Sequence, residues 1–278
     1  MSDPVLQCGI VLHPAGHTRS AMHEAAYRAL GLDASYTAFD VPPDELERAM
    51  VGFRSRGLRQ LAISIPHKEA MLELVDEVEP VGRTIGAINT ATLDGDRYVG
   101  TNTDWIGAIR ALEREGPIEG RRAVVLGAGG TARALVYGLR EKRCEVFVLN
   151  RTRASADALA DELGATAAGP LDGLGALVPQ IIVNTTSIGL NEMISPVRAD
   201  DIPTDAVVLD AVYSPARTQF LIDAESRGAR VVGGKWMLVY QAVEQLRRWT
   251  ALLERPPTDE ALAGIVDVMA EAFDTAGA

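Results

Sequence analysis

Two cysteines are all the thiol chemistry this chain has. Cys8 and Cys144 stand far apart and outside any CxxC or Cys/His spacing, so neither a disulfide framework nor a zinc site is expected, and both read as buried thiols. Excess positive charge is lacking too. The 27 Lys and Arg against 38 Asp and Glu give a net charge of -11, which opposes a nucleic-acid backbone or an anionic membrane as partner. Any anionic ligand must then be held by local positive charge. No apolar run approaches the length that spans a bilayer, and the opening "MSDPVLQCG" has neither the basic flank nor the apolar stretch of a signal peptide, so a soluble, cytoplasmic protein is expected. His13, His17, His23 and His67 match no metal-ligand spacing, and no metal is expected. Repeats and low-complexity tracts are absent. What remains is 278 residues with 47% apolar content, enough for a sizeable core divided between two domains.

Apolar runs alternate with helical patterns along both halves. In the first, "LQCGIVL", "ASYTAF" and the run before Pro66 read as strands, separated by helices over 20–30 and after Pro43. "GAINTATL" turns at Asp94-Gly95 into "RYVG", a hairpin signal. Asp104 can cap the helix "WIGAIRALERE", which ends before Gly116-Pro117. In the second half "AVVLGAGG", "EVFVLN", "QIIVNTT", "AVVLDAVY" and "ARVVGG" alternate with helices, the signature of a parallel sheet. Helices over Trp236 to about Leu253 and Thr258 to about Phe273 finish the chain. The fold class expected is α/β, with domains over 1–103 and 104–235 followed by carboxyl-terminal helices over 236–278.

"VVLGAGGTARA" places Gly127, Gly129 and Ala132 at GxGxxA spacing, after a strand and at the start of a helix. The first glycine permits the tight turn, the second lets backbone approach a pyrophosphate, and the small third residue permits close packing. Ala128, Gly130 and Thr131 complete the loop. The next strand ends at Asn150, where an NAD site would carry an acidic residue for the ribose 2′-hydroxyl, and Arg151, Thr152 and Arg153 follow. Arginine there binds a 2′-phosphate, so NADP is expected over NAD.

"SIPHKEA" sets Lys68 just after the buried run Leu61 to Ile65, where Pro66 stops the strand. By itself a lysine opening a helix is a solvated charge with its stem on apolar surface. Its neighbours along the chain alter that reading. "GIVLHPAGHTRSAMHEAAYRALGL", "SIPHKEA", "GAINT", "GTNTDWIG", "GAGGTARA", "NRT", "NTTSIG", "LDAVYSPARTQFL" and "MLVYQA" occur in the order of similar segments in the shikimate dehydrogenases. From Gly9 to about Trp249 the chain resembles that family. The resemblance implies reversible reduction of 3-dehydroshikimate to shikimate by NADPH, in a cleft between an amino-terminal substrate domain and a Rossmann-like cofactor domain, with the last helices packing back on the substrate domain.

By the same resemblance Lys68 and Asp104 correspond to a catalytic pair, which suits a reaction that builds negative charge on a ketone oxygen. Asn89 and Gln241 correspond to amides that bond ring hydroxyls, each able to donate and accept. Thr18, Ser20, Ser64 and Tyr213 complete the implied substrate set, and Thr185, Thr186, Ser187, Gly234 and Met237 the cofactor set. Met237 and Gln241, four apart, share a helix face. The sequence departs from the family in three places. Thr18-Arg19-Ser20 runs straight into Ala21-Met22-His23, without the usual proline and with Arg19 in an apolar position; Trp236 is bulky where the resemblance puts the nicotinamide; and Ala62 replaces a common asparagine. These leave open a paralogue acting on quinate, aminoshikimate or a related cyclic polyol acid, and a non-catalytic NADP-binding sensor. The partner implied is a small cyclic carboxylate, bound by a monomer or homodimer.

Overall fold

The computed structural model describes residues 6–14 and 20–276, apart from the side chains of 167 and 168. The chain divides into two units, Met1–Thr103 with Gln241–Ala278, and Asp104–Tyr240.

The first unit carries strands β1 (Leu6–Leu12), β2 (Ala34–Asp40), β3 (Gln60–Ile63), β4 (Glu77–Val78), β5 (Thr90–Asp94) and β6 (Arg97–Thr101), with helices α1 (Ser20–Ala29), α2 (Leu46–Ser55) and α3 (Pro80–Ile85). Its sheet runs β2-β1-β3-β5-β6-β4. β1 is parallel to β2 and β3, whereas β5 is antiparallel to both β3 and β6. The expected β5–β6 hairpin forms, with Gly95 in the left-handed region at φ 61. β3 is buried along its whole length, as an apolar run between two neighbours must be. It ends at Ile63, two residues before the sequence pattern suggests: Ile65 is 70% exposed. A core of Val11, Met50, Phe53, Leu61, Ile63 and Tyr98 fills one face.

The second unit comprises α4 (Asp104–Glu113), β7 (Arg122–Leu126), α5 (Gly130–Glu141), β8 (Glu145–Leu149), α6 (Arg153–Leu163), β9 (Ala167–Gly169), α7 (Leu174–Leu177), β10 (Ile181–Asn184), β11 (Val207–Asp210), α8 (Gln219–Ser226) and β12 (Arg230–Val232). Its sheet is parallel throughout, in the order β12-β11-β10-β7-β8-β9, the doubly wound arrangement that the alternating pattern calls for. Apolar clusters cover both faces, one around Leu135, Val136 and Leu139 and the other around Leu174, Phe220 and Leu221. Thr218 caps α8 by accepting from the Leu221 N–H, which starts that helix at Gln219.

Two long helices follow, α9 (Gly234–Thr250) and α10 (Asp259–Ala276), and the division between the units falls inside α9, between Tyr240 and Gln241. No helix among the described residues is long and apolar enough to cross a membrane. Both thiols are buried. Burial pushes Cys8 up to about 12 and raises Cys144 above its ordinary value.

Candidate active site

β7 delivers the chain to the glycine turn. Gly127 lies at φ 113, a left-handed conformation, and a Cβ there would stand 2.6 Å from Thr185 Oγ1. Its glycine is therefore demanded by the protein's own backbone and packing. Gly129 differs. Its backbone is extended (φ -89), and a Cβ would meet nothing within 4 Å. No side chain caps the start of α5, so the first N–H groups of the helix have no acceptor from a capping residue beside this open space. An open approach to uncapped N–H groups fits a pyrophosphate. Ala132, fully buried, lets α5 lie close on the sheet. Gly130 and Thr131 form the first residues of α5.

At the end of β8, Asn150 donates from Nδ2 to the Thr152 carbonyl at 3.0 Å, turning the chain into α6. Arg151, Thr152 and Arg153 are all exposed. Arg153 is paired with Asp157 at 3.3 Å, whereas Arg151 makes no ion pair among the described residues. Of the two arginines, Arg151 thus has its guanidinium uncommitted.

The adjoining loops rest on a network that motif reading did not single out. β10 and β11, otherwise apolar, each close on a fully buried polar residue, Asn184 and Asp210. Asn184 donates to Asp210 Oδ1 at 2.9 Å and accepts from both the backbone N–H and the hydroxyl of Thr186, at 3.0 and 2.7 Å. Asp210 also accepts from the Thr218 hydroxyl at 2.6 Å and the Val212 N–H at 3.0 Å. Burial pushes its pKa up to about 6 against these stabilising bonds. Thr185 donates to the Leu126 carbonyl at 2.7 Å, and Ser187 is exposed. The "NTTS" and "DAVY" turns are so tied to each other through their strand ends. The sequence signal was a polar residue ending an otherwise apolar strand.

Gly234 packs on the same turn: a Cβ would come within 2.7–2.8 Å of the carbonyl oxygens of Asp210, Ala211 and Val212. Met237 is buried in the core. Trp236 does not stand free. Its ring lies 3.6 Å from the Arg114 guanidinium carbon, and Arg114 also donates to the Tyr240 hydroxyl at 3.2 Å. The bulk that the sequence places near a nicotinamide is thus taken up by a cation–π stack with Arg114, just past the end of α4. Tyr213 is half-buried.

In the first unit Asn89 and Gln241, far apart in sequence, meet: Asn89 Nδ2 donates to Gln241 Oε1 at 3.2 Å and to Thr103 Oγ1 at 3.0 Å. Asn89 Oδ1 accepts from the Thr103 backbone N–H at 2.7 Å and the Thr90 hydroxyl at 2.9 Å. A backbone N–H can only donate, so the orientation of the Asn89 amide is fixed, and that of Gln241 follows from it. The amides therefore do not offer donor and acceptor equally, as the residue types alone suggest. Both side-chain carbonyls are engaged inside the protein, and so are the two Asn89 N–H bonds, to Thr103 and Gln241.

Lys68 is half-buried, and its backbone carbonyl accepts from Ile88 N–H at 2.9 Å, next to Asn89. The residues after Pro66 form a turn and then a single 3₁₀ turn, Ala70–Glu73, rather than the helix the pattern suggests. His67 is buried, and its Nε2 donates to the Val41 carbonyl at 2.8 Å; burial lowers its pKa. Ser64 lies three residues before it and is half-buried. Asp104, 5% exposed, is the first residue of α4 and belongs to the second unit. Ser20 opens α1, while Thr18, Arg19 and His17 lie outside the described residues. His13 bonds Asp40 at 2.8 Å and His23 stacks on Tyr36 at 3.9 Å, so these histidines serve separate local roles.

Comparison with known proteins gives the family. Residues 10–91 match the shikimate dehydrogenase substrate binding domain, and residues 110–202 match the shikimate / quinate 5-dehydrogenase model. A shikimate dehydrogenase (NADP(+)) of Haloarcula marismortui is 44% identical over 254 residues, covering 90% of this chain and 95% of that protein. The shikimate 5-dehydrogenase of Thermus thermophilus, solved in complex with NADP(H) and shikimate, superposes with a TM-score of 0.86 at 37% identity, over 96% of this chain and all (100%) of that one. The 5-ketofructose reductase of a Gluconobacter strain, solved without ligand, shares the fold at a TM-score of 0.81 and 30% identity, over 95% and 99% of the two chains. With both domain models matched in order and a relative this similar along nearly its whole length, the chain belongs to the shikimate dehydrogenase family.

Proposed function

We propose that this protein is an NADP-dependent dehydrogenase that interconverts 3-dehydroshikimate and shikimate, with the Asp104–Tyr240 unit holding the cofactor and the other unit the substrate. The observation that carries the reading is the cradle at α5, where Gly129 leaves open space in front of uncapped N–H groups while Arg151 stands uncommitted at the end of the neighbouring strand. The Haloarcula relative and the Thermus structure, named for NADP and solved with NADP(H) and shikimate, support the same assignment.

NADPH, when bound, supplies the hydride that reduces the 3-keto carbon. The chain's own residues do the rest. The α5 N–H groups hold the pyrophosphate, and Arg151 holds the 2′-phosphate by charge-assisted bonds that an acidic residue at this strand end would forbid. Asn89 and Gln241 are assigned to the ring hydroxyls, Asn89 holding Gln241 in place through its amide. Lys68 is assigned to the reacting oxygen, which gains negative charge as the carbonyl is reduced and a proton to become the alcohol. Asp104 is assigned to the hydroxyl on the alcohol side of the reaction. Ser64, Ser20, Thr18 and Tyr213 complete the substrate set.

The test is to mix purified protein with NADP and shikimate and follow the appearance of reduced cofactor. Rapid reduction supports the reading, and its absence with shikimate overturns it. Quinate is the second substrate to assay, because Thr18-Arg19-Ser20 departs from the family at the carboxylate-binding stretch. Faster turnover of quinate would move the assignment to that acid.

A further inference from the structure

Gln245 lies one helical turn beyond Gln241 on α9 and is 1% exposed. Its Nε2 donates to the Asn89 carbonyl at 3.1 Å and to the Thr90 hydroxyl at 3.0 Å. That hydroxyl in turn donates to Asn89 Oδ1 at 2.9 Å. α9 therefore grips Asn89 twice, through Gln241 at the side-chain amide and through Gln245 at the backbone and, by way of Thr90, at the amide oxygen.

We propose that Gln245 is a positioning residue for substrate binding, holding α9 to residues 89 and 90 so that Gln241 keeps its place over Asn89. The inference rests on the assignment of Asn89 and Gln241 to the substrate made above. The chain of bonds has one polarity. Gln245 Nε2 can only donate, so Thr90 Oγ1 accepts from it, and the Thr90 proton is directed to Asn89 Oδ1. This bond adds to the one from the Thr103 N–H, which already keeps the Asn89 NH₂ group toward Gln241 Oε1. Remove the amide of Gln245 and the Thr90 hydroxyl is free to turn, while the helix loses its second hold on residue 89.

A purely structural role does not account for the arrangement as well. The Asn89 carbonyl also accepts from the Ile63 N–H at 2.7 Å, so it keeps a partner without Gln245. Gln245 Oε1 has no hydrogen-bond partner among the described residues. Replacing the side chain by methionine, similar in length and flexible, thus deprives the interior of little and should leave the fold in place.

The experiment compares Gln245→Met with Thr90→Val and Thr90→Ser in the full chain, measuring kcat, the KM for shikimate, the KM for NADP and the melting temperature. Gln245→Met should raise the shikimate KM by about three- to tenfold, the worth of one or two neutral hydrogen bonds. The NADP KM should stay unchanged, and Tm should move by less than about 4 °C. Thr90→Val should reproduce the effect, Thr90→Ser should restore wild-type values, and Gln245→Met combined with Thr90→Val should be little worse than either alone. An unchanged shikimate KM in a folded Gln245→Met protein overturns the proposal. So does a parallel rise in both KM values with a large fall in Tm, which would mark general loosening. Wild-type kinetics are measured first: absence of shikimate turnover overturns the substrate reading and the role of Gln245 with it, whereas normal wild-type turnover with unresponsive variants overturns only the role of Gln245.

Discussion

Gly129→Ser should make the protein more stable and a poorer binder of NADP at once. Gly129 has an extended backbone that any residue adopts, and no atom lies within 4 Å of where a Cβ would go. Folding therefore meets no clash. Serine also restricts the unfolded chain and brings the side-chain cap that α5 lacks, which together should add about 0.5–1.5 kcal/mol. Tm should rise by roughly 2–6 °C. The same hydroxyl competes for the N–H groups that a pyrophosphate needs, and the added atoms occupy its approach. Intrusion of this kind costs about 1–3 kcal/mol, or roughly 5- to 150-fold in affinity. Gly127→Ser is the control with the opposite outcome, since φ 113 and Thr185 Oγ1 at 2.6 Å make any side chain there a burden on the apo fold. Thermal melts without cofactor and fluorescence titration with NADPH read both quantities. Wild-type affinity for NADPH in a stable Gly129→Ser protein would refute the placement of the pyrophosphate at α5.

Three further outcomes are expected. Arg151→Ala should weaken NADP by about ten- to a hundredfold, one charge-assisted contact, and leave NAD nearly unaffected in parallel titrations; equal losses would remove the arginine from phosphate recognition. Lys68→Ala should lower kcat by about a hundredfold or more with a smaller change in the shikimate KM, because the ammonium acts on charge that develops during reduction; near-normal kcat would exclude it from the chemistry. Burial lowers His23 to about 3, so on acidification the unfolded chain takes up a proton that the native chain refuses, and stability falls as pH drops below 6.5. Between pH 7 and 5 that loss is about 2 kcal/mol, and Asp210, raised to about 6, acts with the opposite sign because the native form binds its proton first, contributing about 1 kcal/mol in favour of folding over the same interval. In urea melts His23→Phe, which keeps a ring against Tyr36, should lose the His23 part of the acid sensitivity; an unchanged pH dependence would contradict its burial as a neutral ring.

Much of the architecture was legible because its causes are local. Strands such as "AVVL" and "IIVN" announce themselves by short apolar runs, and Gly127, Gly129 and Ala132 by the spacing a phosphate turn needs. β4 and β9, two and three residues long, leave no periodicity to read. Ile65 misled by being apolar although the strand has already ended at Ile63. Side-chain direction was out of reach for a different reason. The Asn89 amide is oriented by Thr103, and Gln241 by Asn89 across a separation of 152 residues, so neither orientation is encoded in any one stretch. Asp210 and Asn184 were half-visible, as polar residues closing apolar strands, but that they bond each other follows only from the β10–β11 register, which sets Asn184 beside Asp210. Trp236 was read by its volume, whereas its setting is decided by Arg114, more than a hundred residues earlier in the chain.

The fixed amides also bear on direction of turnover. A hydroxyl oxygen and a carbonyl oxygen both accept hydrogen bonds, so an amide N–H donor such as Gln241 Nε2 meets an acceptor in an alcohol and in its ketone alike. On the proposed reading the Gln241 amide serves the ring of shikimate and of 3-dehydroshikimate in the same way. Such even-handed binding helps saturate the enzyme from either side but leaves the barrier between the two forms untouched. The pair is then neutral between oxidation and reduction, and which way the reaction runs is left to the supply of oxidised and reduced cofactor.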